Sequence, residues 1–203
     1  MQSVVLGNRL SRGDEQAGDQ TQGFHGINPP LSRGLDLMTH RGTRWCCEIR
    51  FEKTKPFFEP MGKRLYYCGG PGLGLQAKLS QNLILSNLLI AFNEGMVLAT
   101  KGGVDPKLML DILDNSAAKS GLISFKAPYV FRGDFNANFS VKWMHKDIGL
   151  MLDSGKDLGV PLVLTAVTSQ LFQAAIAEGH ADEDICSTIR VLEELAGVQV
   201  RSQ

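Results

Sequence analysis

The longest apolar run of the chain extends from residue 75 to about residue 101 and predicts one long helix. Apolar side chains cover nearly every face of this run, and a helix that is apolar all round is normally a buried one. Polar residues interrupt it too often for a purely apolar stretch of membrane-spanning length; they are Gln81, Asn82, Asn87, Asn93 and Glu94. We therefore predict the core helix of a soluble protein.

The residues just before this run predict a strand and a sharp turn. Residues 64–68 are rich in β-prone side chains, and four glycines surround Pro71 immediately after them. Clustered glycines with a proline cannot continue a helix, so the chain must turn there. Residues 52–61 have an amphipathic pattern. Together, residues 51–70 are typical of the end of an α/β unit.

Everything after the long run has a helical pattern. Apolar residues recur at helical spacing in five further segments, which are separated by glycine, proline or N-cap residues. We expect Ser140 to cap one helix, and the acidic residues 182–184 to begin the last one, where they suit the helix dipole. The predicted helices run from about 105 to 115, 120 to 131 with a kink at Pro128, 141 to 158, 164 to 178, and 182 to 196. The fold class of residues 71–200 is therefore mainly α.

Residues 1 to about 50 show no comparable pattern. Gly, Arg, Asp, Gln and Ser recur there without a period, so we expect disorder or loosely held coil. Residues 3–6 form a candidate strand that is too short to decide. The predicted organisation is a disordered or atypical segment, 1–50, the end of an α/β unit, 51–70, and a helical domain, 71–200.

Composition excludes several function classes. The 203 residues contain 21 basic and 21 acidic side chains, so we predict neither a nucleic acid nor a membrane surface as a partner. Four cysteines form no CxxC pair, which favours reduced thiols and a cytoplasmic location. Four histidines lack metal-ligand spacing, so no metal site is predicted. The N-terminus lacks the pattern of a secretory signal.

Residues 72–77 fit the dinucleotide fingerprint G-x-G-x-x-A. That fingerprint requires a second parallel strand about 20 residues later, ending in an acidic residue that holds the ribose. Here the same place lies inside the long predicted helix. We therefore reject a Rossmann phosphate loop at this position.

Two polar side chains stand at the start of the long helix. Lys78 and Asn82 are four residues apart and so share one face of its first turns. A lysine in an apolar helix is costly to bury. Taken alone, Lys78 is typical of a lysine that reaches solvent from the core, and Asn82 of a polar core group bonded to backbone. Lys146 and Asp147 would be a surface pair of little energetic value, and Phe139 a packing residue.

Several motifs taken together resemble those of a known enzyme family. The pattern Gly-x-Gly-x-x-x-Lys-x-x-x-Asn, with segments 139–150 and 157–165, resembles the β-hydroxyacid dehydrogenase family (3-hydroxyisobutyrate dehydrogenase-like) over about residues 51–200. The resemblance implies that residues 51–70 are a remnant of the end of a Rossmann domain. It also implies that residues 71–200 form the helical domain known from the C-terminal part of 6-phosphogluconate dehydrogenase, with a long core helix. It also implies NAD or NADP as cofactor, a small 3-hydroxy acid or semialdehyde as substrate, and a homo-oligomer.

The resemblance further implies roles for five residues. Lys78 matches the catalytic acid/base, and Asn82 matches the residue that holds the substrate. Lys146 matches a residue that reaches the cofactor, and Asp147 matches one that reaches the catalytic lysine, here Lys78. Phe139 matches the aromatic residue that lines the nicotinamide side. A base suits this chemistry because the hydroxyl proton must leave as the hydride passes to the cofactor.

The sequence departs from the family in residues 1–50. A family member would have a Gly-rich phosphate loop and a Ser-Gly-Gly segment for the substrate carboxylate, and neither is found there. Two explanations stay open: a fragment, from a mis-called start or a shifted reading frame upstream of about residue 51, or a partner chain that supplies the rest.

Three function hypotheses follow. The first is the catalytic helical domain of a 3-hydroxyacid dehydrogenase, with little or no turnover alone. The second is a non-catalytic helical dimerisation module. The third is a relative of 6-phosphogluconate dehydrogenase, although the arginines that its substrate phosphate requires are not found at matching positions.

Overall fold

The computed structural model describes residues 3–6, 45–61 and 64–202. The chain divides into two compact units, Met1–Lys78 and Leu79–Gln203. The boundary falls inside the long helix, and each unit is described in turn.

The first unit contains a small α/β arrangement. Strand β1 (Ser3–Leu6) pairs in parallel with strand β2 (Arg64–Tyr67). Helix α1 (Trp45–Phe58) and a short 3₁₀ turn (Glu59–Met61) precede β2 in sequence. The ring of Phe51 on α1 lies 5.5 Å from the ring of Tyr67 on β2. A helix between two parallel strands is the usual crossover connection of an α/β unit.

The expectation of coil in residues 1–50 is wrong at the beginning of α1, and the candidate strand at residues 3–6, which is too short to decide from sequence, is present as β1. A four-residue strand has no stability by itself, and β1 exists because β2 supplies its backbone hydrogen-bond partners. That partner is about 60 residues away, beyond the reach of a local pattern. The rest of the segment to which this expectation applies lies outside the described residues.

The glycine-rich turn leads directly into helix α2 (Leu73–Lys101). Gly69 and Gly72 have φ angles of 101° and 84°, a region that side chains with a Cβ rarely adopt. The predicted strand before the turn and the predicted long helix after it are both confirmed. The five later helices are also confirmed, four of them within one residue of the predicted bounds, whereas the last begins seven residues later than predicted.

One side of α2 lies in the core, but the helix is not buried on every side. Leu89 and Met96 are almost fully buried, whereas Ile84 and Leu98 are 66% and 76% exposed. Among the described residues, α2 is also the one helix whose length and composition would allow it to cross a membrane. In the single chain, the prediction that α2 is buried on all faces is wrong, because the other helices pack against only part of the surface of α2.

Five helices and a 3₁₀ segment complete the second unit around one core. Its buried residues come from α2 and from the later helices, for example Val130, Met144, Ile148 and Phe172. The later elements are α3 (Pro106–Asp114), α4 (Gly121–Arg132), α5 (Val141–Leu158), α6 (Val163–Ala177), the 3₁₀ segment Ile185–Thr188 and α7 (Ile189–Ala196).

Two helix starts differ from the prediction. Ser140 holds the N-cap position of α5 but makes no capping hydrogen bond, because the carbonyls of Glu183 and Ala181 already accept from the first N–H groups of the helix. The acidic residues 182–184 do not begin α7. Asp184 instead caps the 3₁₀ segment, and α7 begins at Ile189.

Candidate active site

A polar pair joins helices α2 and α5. The Asn82 side-chain amide donates a 3.0 Å hydrogen bond to the Asp147 carboxylate, and both side chains are half-buried. The two residues are 65 positions apart in sequence, so this contact depends on how the helices pack. Asn82 therefore bonds to a side chain and not to backbone. Asp147 binds a residue of another helix, which a mere surface partner of Lys146 would not do.

Lys78 lies one helical turn before Asn82 in the same helix. Its side chain is half-buried, and it takes part in an interaction of its own. Because Lys78 is the last residue of the first unit and Asn82 belongs to the second, a meeting of the Lys78 ammonium with Asp147 stays a prediction.

Lys146 extends from the exposed side of α5. Its Nζ lies 5.4 Å from the centroid of the Trp143 ring, three residues earlier on the helix. The Lys142 Nζ lies 6.0 Å from the same ring. Lys146 and Asp147 are thus neighbours in sequence with different partners, an aromatic ring and the Asn82 amide.

Phe139 lies in the loop that leads into α5. Its half-buried ring packs against the core. Its backbone N–H donates to the Asp184 carboxylate at 3.2 Å, and its carbonyl accepts from the N–H of Ile185 at 2.9 Å. The backbone on both sides of the ring is therefore fixed, although the contact of Phe139 with a nicotinamide stays a prediction.

A buried ion pair anchors this loop. The Lys126 ammonium lies 2.8 Å from each Asp184 oxygen, and the two side chains are only 5% and 2% exposed. Asp184 also accepts from the backbone N–H groups of Asn138, Phe139 and Cys186. Burial alone would raise the pKa of Asp184, but the hydrogen bonds from Lys126 and Cys186 outweigh it and hold the pKa below its ordinary value.

Sequence reasoning missed Lys126, Asp184 and Trp143. Asp184 was assigned to an acidic helix start, and Lys126 lies in an amphipathic helix where a lysine is ordinarily a surface residue. The two are 58 residues apart. One signal was available for Trp143, because the apolar spacing of Met144, Ile148 and Met151 leaves it off the buried face.

A separate cavity of about 730 Å³ lies near the C-terminal segment of the second unit. Phe135, Arg190 and Arg201 line it, and the two arginines form ion pairs with Glu183 and Glu193. None of the five predicted site residues lines this cavity. Among the residues that the structure describes, no cluster of three or more His, Cys, Asp or Glu side chains suits a metal ion.

The family is decided by comparison with known proteins. A family model described as the NAD-binding domain of NADP-dependent 3-hydroxyisobutyrate dehydrogenase matches residues 72–192. The chain belongs to the β-hydroxyacid dehydrogenases. The match includes α2 to α6, the first half of α7 and all five predicted site residues. NAD or NADP is the cofactor of this family.

Curated β-hydroxyacid dehydrogenases align over most of the chain. The 2-(hydroxymethyl)glutarate dehydrogenase of Eubacterium barkeri is 36% identical over 183 residues, which cover 88% of this chain and 61% of the relative. Glyoxylate/succinic semialdehyde reductase 1 of Arabidopsis thaliana is 33% identical over 142 residues, which cover 70% and 49%. The chain thus spans about half the length of the curated relatives it matches.

The alignment with the E. barkeri relative covers more of this chain than residues 51–200, the range of the resemblance. Its coverage leaves only about 24 of the 203 residues unaligned, so sequence similarity begins before residue 51. The residues that showed no helical or strand pattern are therefore related in part to a dehydrogenase sequence.

Solved β-hydroxyacid dehydrogenases share the fold. The 3-hydroxyisobutyrate dehydrogenase of Salmonella typhimurium superposes with a TM-score of 0.66 at 27% identity, and covers 70% of this chain and 50% of its own. The Mycobacterium tuberculosis 3-hydroxyisobutyrate dehydrogenase, solved with L-serine, gives 0.64 at 28% identity, with 70% and 51% covered. The predicted fold class, a helical domain with a long core helix, is confirmed.

Proposed function

We propose that this chain supplies the helical half of an active site that oxidises a small 3-hydroxy acid, or reduces the matching semialdehyde, with NAD or NADP. Lys78 is the acid/base, and Asn82 holds the substrate. Asp147 orients Asn82 and the lysine, while Lys146 and Phe139 contact the cofactor. The family match and the relatives' names, such as 3-hydroxyisobutyrate dehydrogenase, support this reaction class.

The hydrogen bond between Asn82 and Asp147 carries the proposal. It supports the proposal because Asn82, the residue bonded to the Asp147 carboxylate, follows Lys78 by one helical turn in α2. Asp147 fixes the Asn82 amide, because the NH₂ group donates to the carboxylate and leaves the amide oxygen to accept from a substrate hydroxyl. A lysine one turn away can take the proton from that hydroxyl as the cofactor accepts the hydride.

The chain by itself should show little or no dehydrogenase turnover. The 203 residues contain neither a recognisable phosphate loop of the G-x-G-x-x-G kind nor a Ser-Gly-Gly carboxylate segment. The proposed site residues hold the proton, the substrate hydroxyl and one side of the cofactor. The rest of the site must then come from outside these 203 residues.

The test is a chimaera. The dinucleotide-binding half of the E. barkeri relative is fused ahead of β2, and reduction of NAD or NADP is measured with several 3-hydroxy acids. We expect activity from the chimaera and a loss of about 10²- to 10⁴-fold in kcat for Lys78→Ala. The matched control is Lys101→Ala, which removes an exposed lysine from the other end of α2. Equal activity of the two variants would contradict the role of Lys78.

A second candidate is a non-catalytic helical dimerisation module. The observation behind it is the exposed apolar surface on α2 and α6, including Ile84, Leu98, Val163 and Leu164. A surface of this kind suits a second copy of the chain. Sedimentation of the purified chain tests it, and a clean monomer at all concentrations would count against the homo-oligomer in either candidate. A chimaera that folds without activity would favour the module.

A further inference from the structure

Helix α5 presents an exposed indole. Trp143 is 41% exposed, although tryptophan is a residue that proteins usually bury to a large extent. The core side of the same helix is formed by fully buried residues such as Met144 and Ile148. Trp143 therefore contributes little to the core, and its exposure has no explanation in packing.

Two cationic groups accompany this ring. The ammonium groups of Lys142 and Lys146 lie 6.0 Å and 5.4 Å from its centroid, within the range of cation–π attraction. Lys142 also forms an ion pair with Asp182. The surface thus combines a flat aromatic ring with positive charge, which is the combination that binds aromatic ligands carrying phosphate.

The indole also borders the candidate active site. Trp143 stands one helical turn before Asp147 on α5, and side chains four residues apart lie on the same face of a helix. Asp147 in turn accepts the hydrogen bond from Asn82. The exposed ring, the Lys146 ammonium and the Asn82–Asp147 pair therefore lie along one side of α5.

We propose that Trp143 is a stacking platform for the nicotinamide mononucleotide half of the cofactor, with the ammonium groups beside it attracting the adjoining phosphate. This inference rests on the proposed function, because it takes the cofactor to be NAD or NADP. The nicotinamide half is favoured over the adenine half because the ring borders the pair assigned to the substrate. The stacking itself needs only the exposed ring, so the site needs no charged group beyond the ammonium groups of Lys142 and Lys146.

The experiment uses the full chain with its second tryptophan replaced, Trp45→Phe, so that Trp143 is the one remaining indole. Reduced nicotinamide mononucleotide, NADH and NADPH are titrated to about 1 mM, a range that detects weak binding. One readout is the quenching of Trp143 emission, which overlaps the absorption of the reduced nicotinamide. The second readout is the fluorescence anisotropy of the ligand itself, which does not depend on Trp143.

We expect saturable quenching and a rise in anisotropy with the same midpoint. In the wild-type background, Trp143→Ala should weaken binding by about 5- to 50-fold, and Trp143→Phe should keep most of the affinity, since a base stacked on an aromatic ring contributes on this scale. The matched control is Phe125→Ala. Phe125 is 51% exposed on α4 with a lysine ammonium 5.2 Å from its ring, so that variant should bind normally.

Three results would overturn the inference. The first is a rise in anisotropy without quenching of Trp143 emission, together with an affinity of Trp143→Ala equal to that of the wild type. The second is displacement of the dinucleotide by ADP but not by the nicotinamide mononucleotide. The third is no binding by either readout, because the platform is proposed for this chain as it stands. The role of Lys78 would survive all three, since the chimaera tests it separately.

Discussion

Removing the Lys126 ammonium breaks a buried ion pair from one side. In Lys126→Met the side chain keeps a similar length, but the Asp184 carboxylate loses two hydrogen bonds of 2.8 Å in a site that is almost closed to solvent. Breaking a buried ion pair from one side typically costs 3–5 kcal/mol, because an uncompensated charge is left behind. We expect a loss of about 3–4 kcal/mol in the free energy of unfolding, since three backbone N–H groups still solvate Asp184.

The assay is urea unfolding followed by far-UV circular dichroism. A suitable control is Lys142→Met, whose ion pair with Asp182 is largely exposed, at 47% and 81% for the two side chains. Exposed pairs contribute about 0–1 kcal/mol. If Lys126→Met and Lys142→Met lose similar amounts of stability, the reasoning from burial is refuted. A double variant with Asp184→Asn should recover part of the loss, because it removes the unpaired charge.

The same pair predicts the direction of the pH dependence. The pKa of Asp184 is held below its ordinary value of 3.8 in the folded chain. The stability that the ionised carboxylate provides is therefore fully present above about pH 4 and is lost as the pH falls through the lower folded value. Asp184→Asn should flatten the stability curve in this acidic range. An unchanged acid slope would contradict the assignment.

Three further predictions concern packing, capping and reactivity. Gly155→Ala should cost about 1–3 kcal/mol of stability, because a Cβ there would lie 2.6 Å from Leu162 in the loop after α5. A Cβ at Gly149 on the same helix would have no atom within 4 Å, so Gly149→Ala should stabilise the chain by about 0.5–1 kcal/mol. Ser140→Ala should change stability by less than about 0.5 kcal/mol, unlike Ser120→Ala, which removes a capping hydrogen bond of α4 that contributes about 1 kcal/mol. Burial and the nearby Asp184 carboxylate raise the pKa of the Cys186 thiol, so iodoacetamide should label it only after denaturation, as mass spectrometry can show.

The sequence predicted the elements of the second unit well, because each helix carries local signals. Asp105 and Pro106 begin α3, and Gly159 ends α5 with a φ of 68°. These signals act within a few residues of the chain, so they can be recognised without knowing the fold. The four apolar-rich residues of β1 are too short a pattern to decide the strand from sequence, because its hydrogen bonds depend on β2 far along the chain.

The candidate site was predictable only in part. The family motifs brought Asn82 and Asp147 into one hypothesis, and the structure joins them by a hydrogen bond. Lys126 and Asp184 could not be found in this way, because a buried ion pair depends on which side of each helix faces the core. The acidic run 182–184 contains one buried and two more exposed residues, and only packing distinguishes Asp184 from its neighbours.

Three asparagines explain how an apolar helix such as α2 acquires a defined position. Apolar contacts are not directional, so they tolerate small rotations and shifts of a helix that polar pairs do not. Asn82, Asn87 and Asn93 each bond to a different element, and their partners are Asp147 on α5, Thr165 and Thr168 on α6, and Thr188 in the 3₁₀ segment. The bonds of Asn87 and Asn93 join neutral groups and fix the register of α2. The bond at Asn82 instead joins an amide to a half-buried carboxylate, Asp147, where a hydroxyl would fix the register equally well. The register of α2 therefore does not explain the carboxylate at this position, whereas the proposed function does.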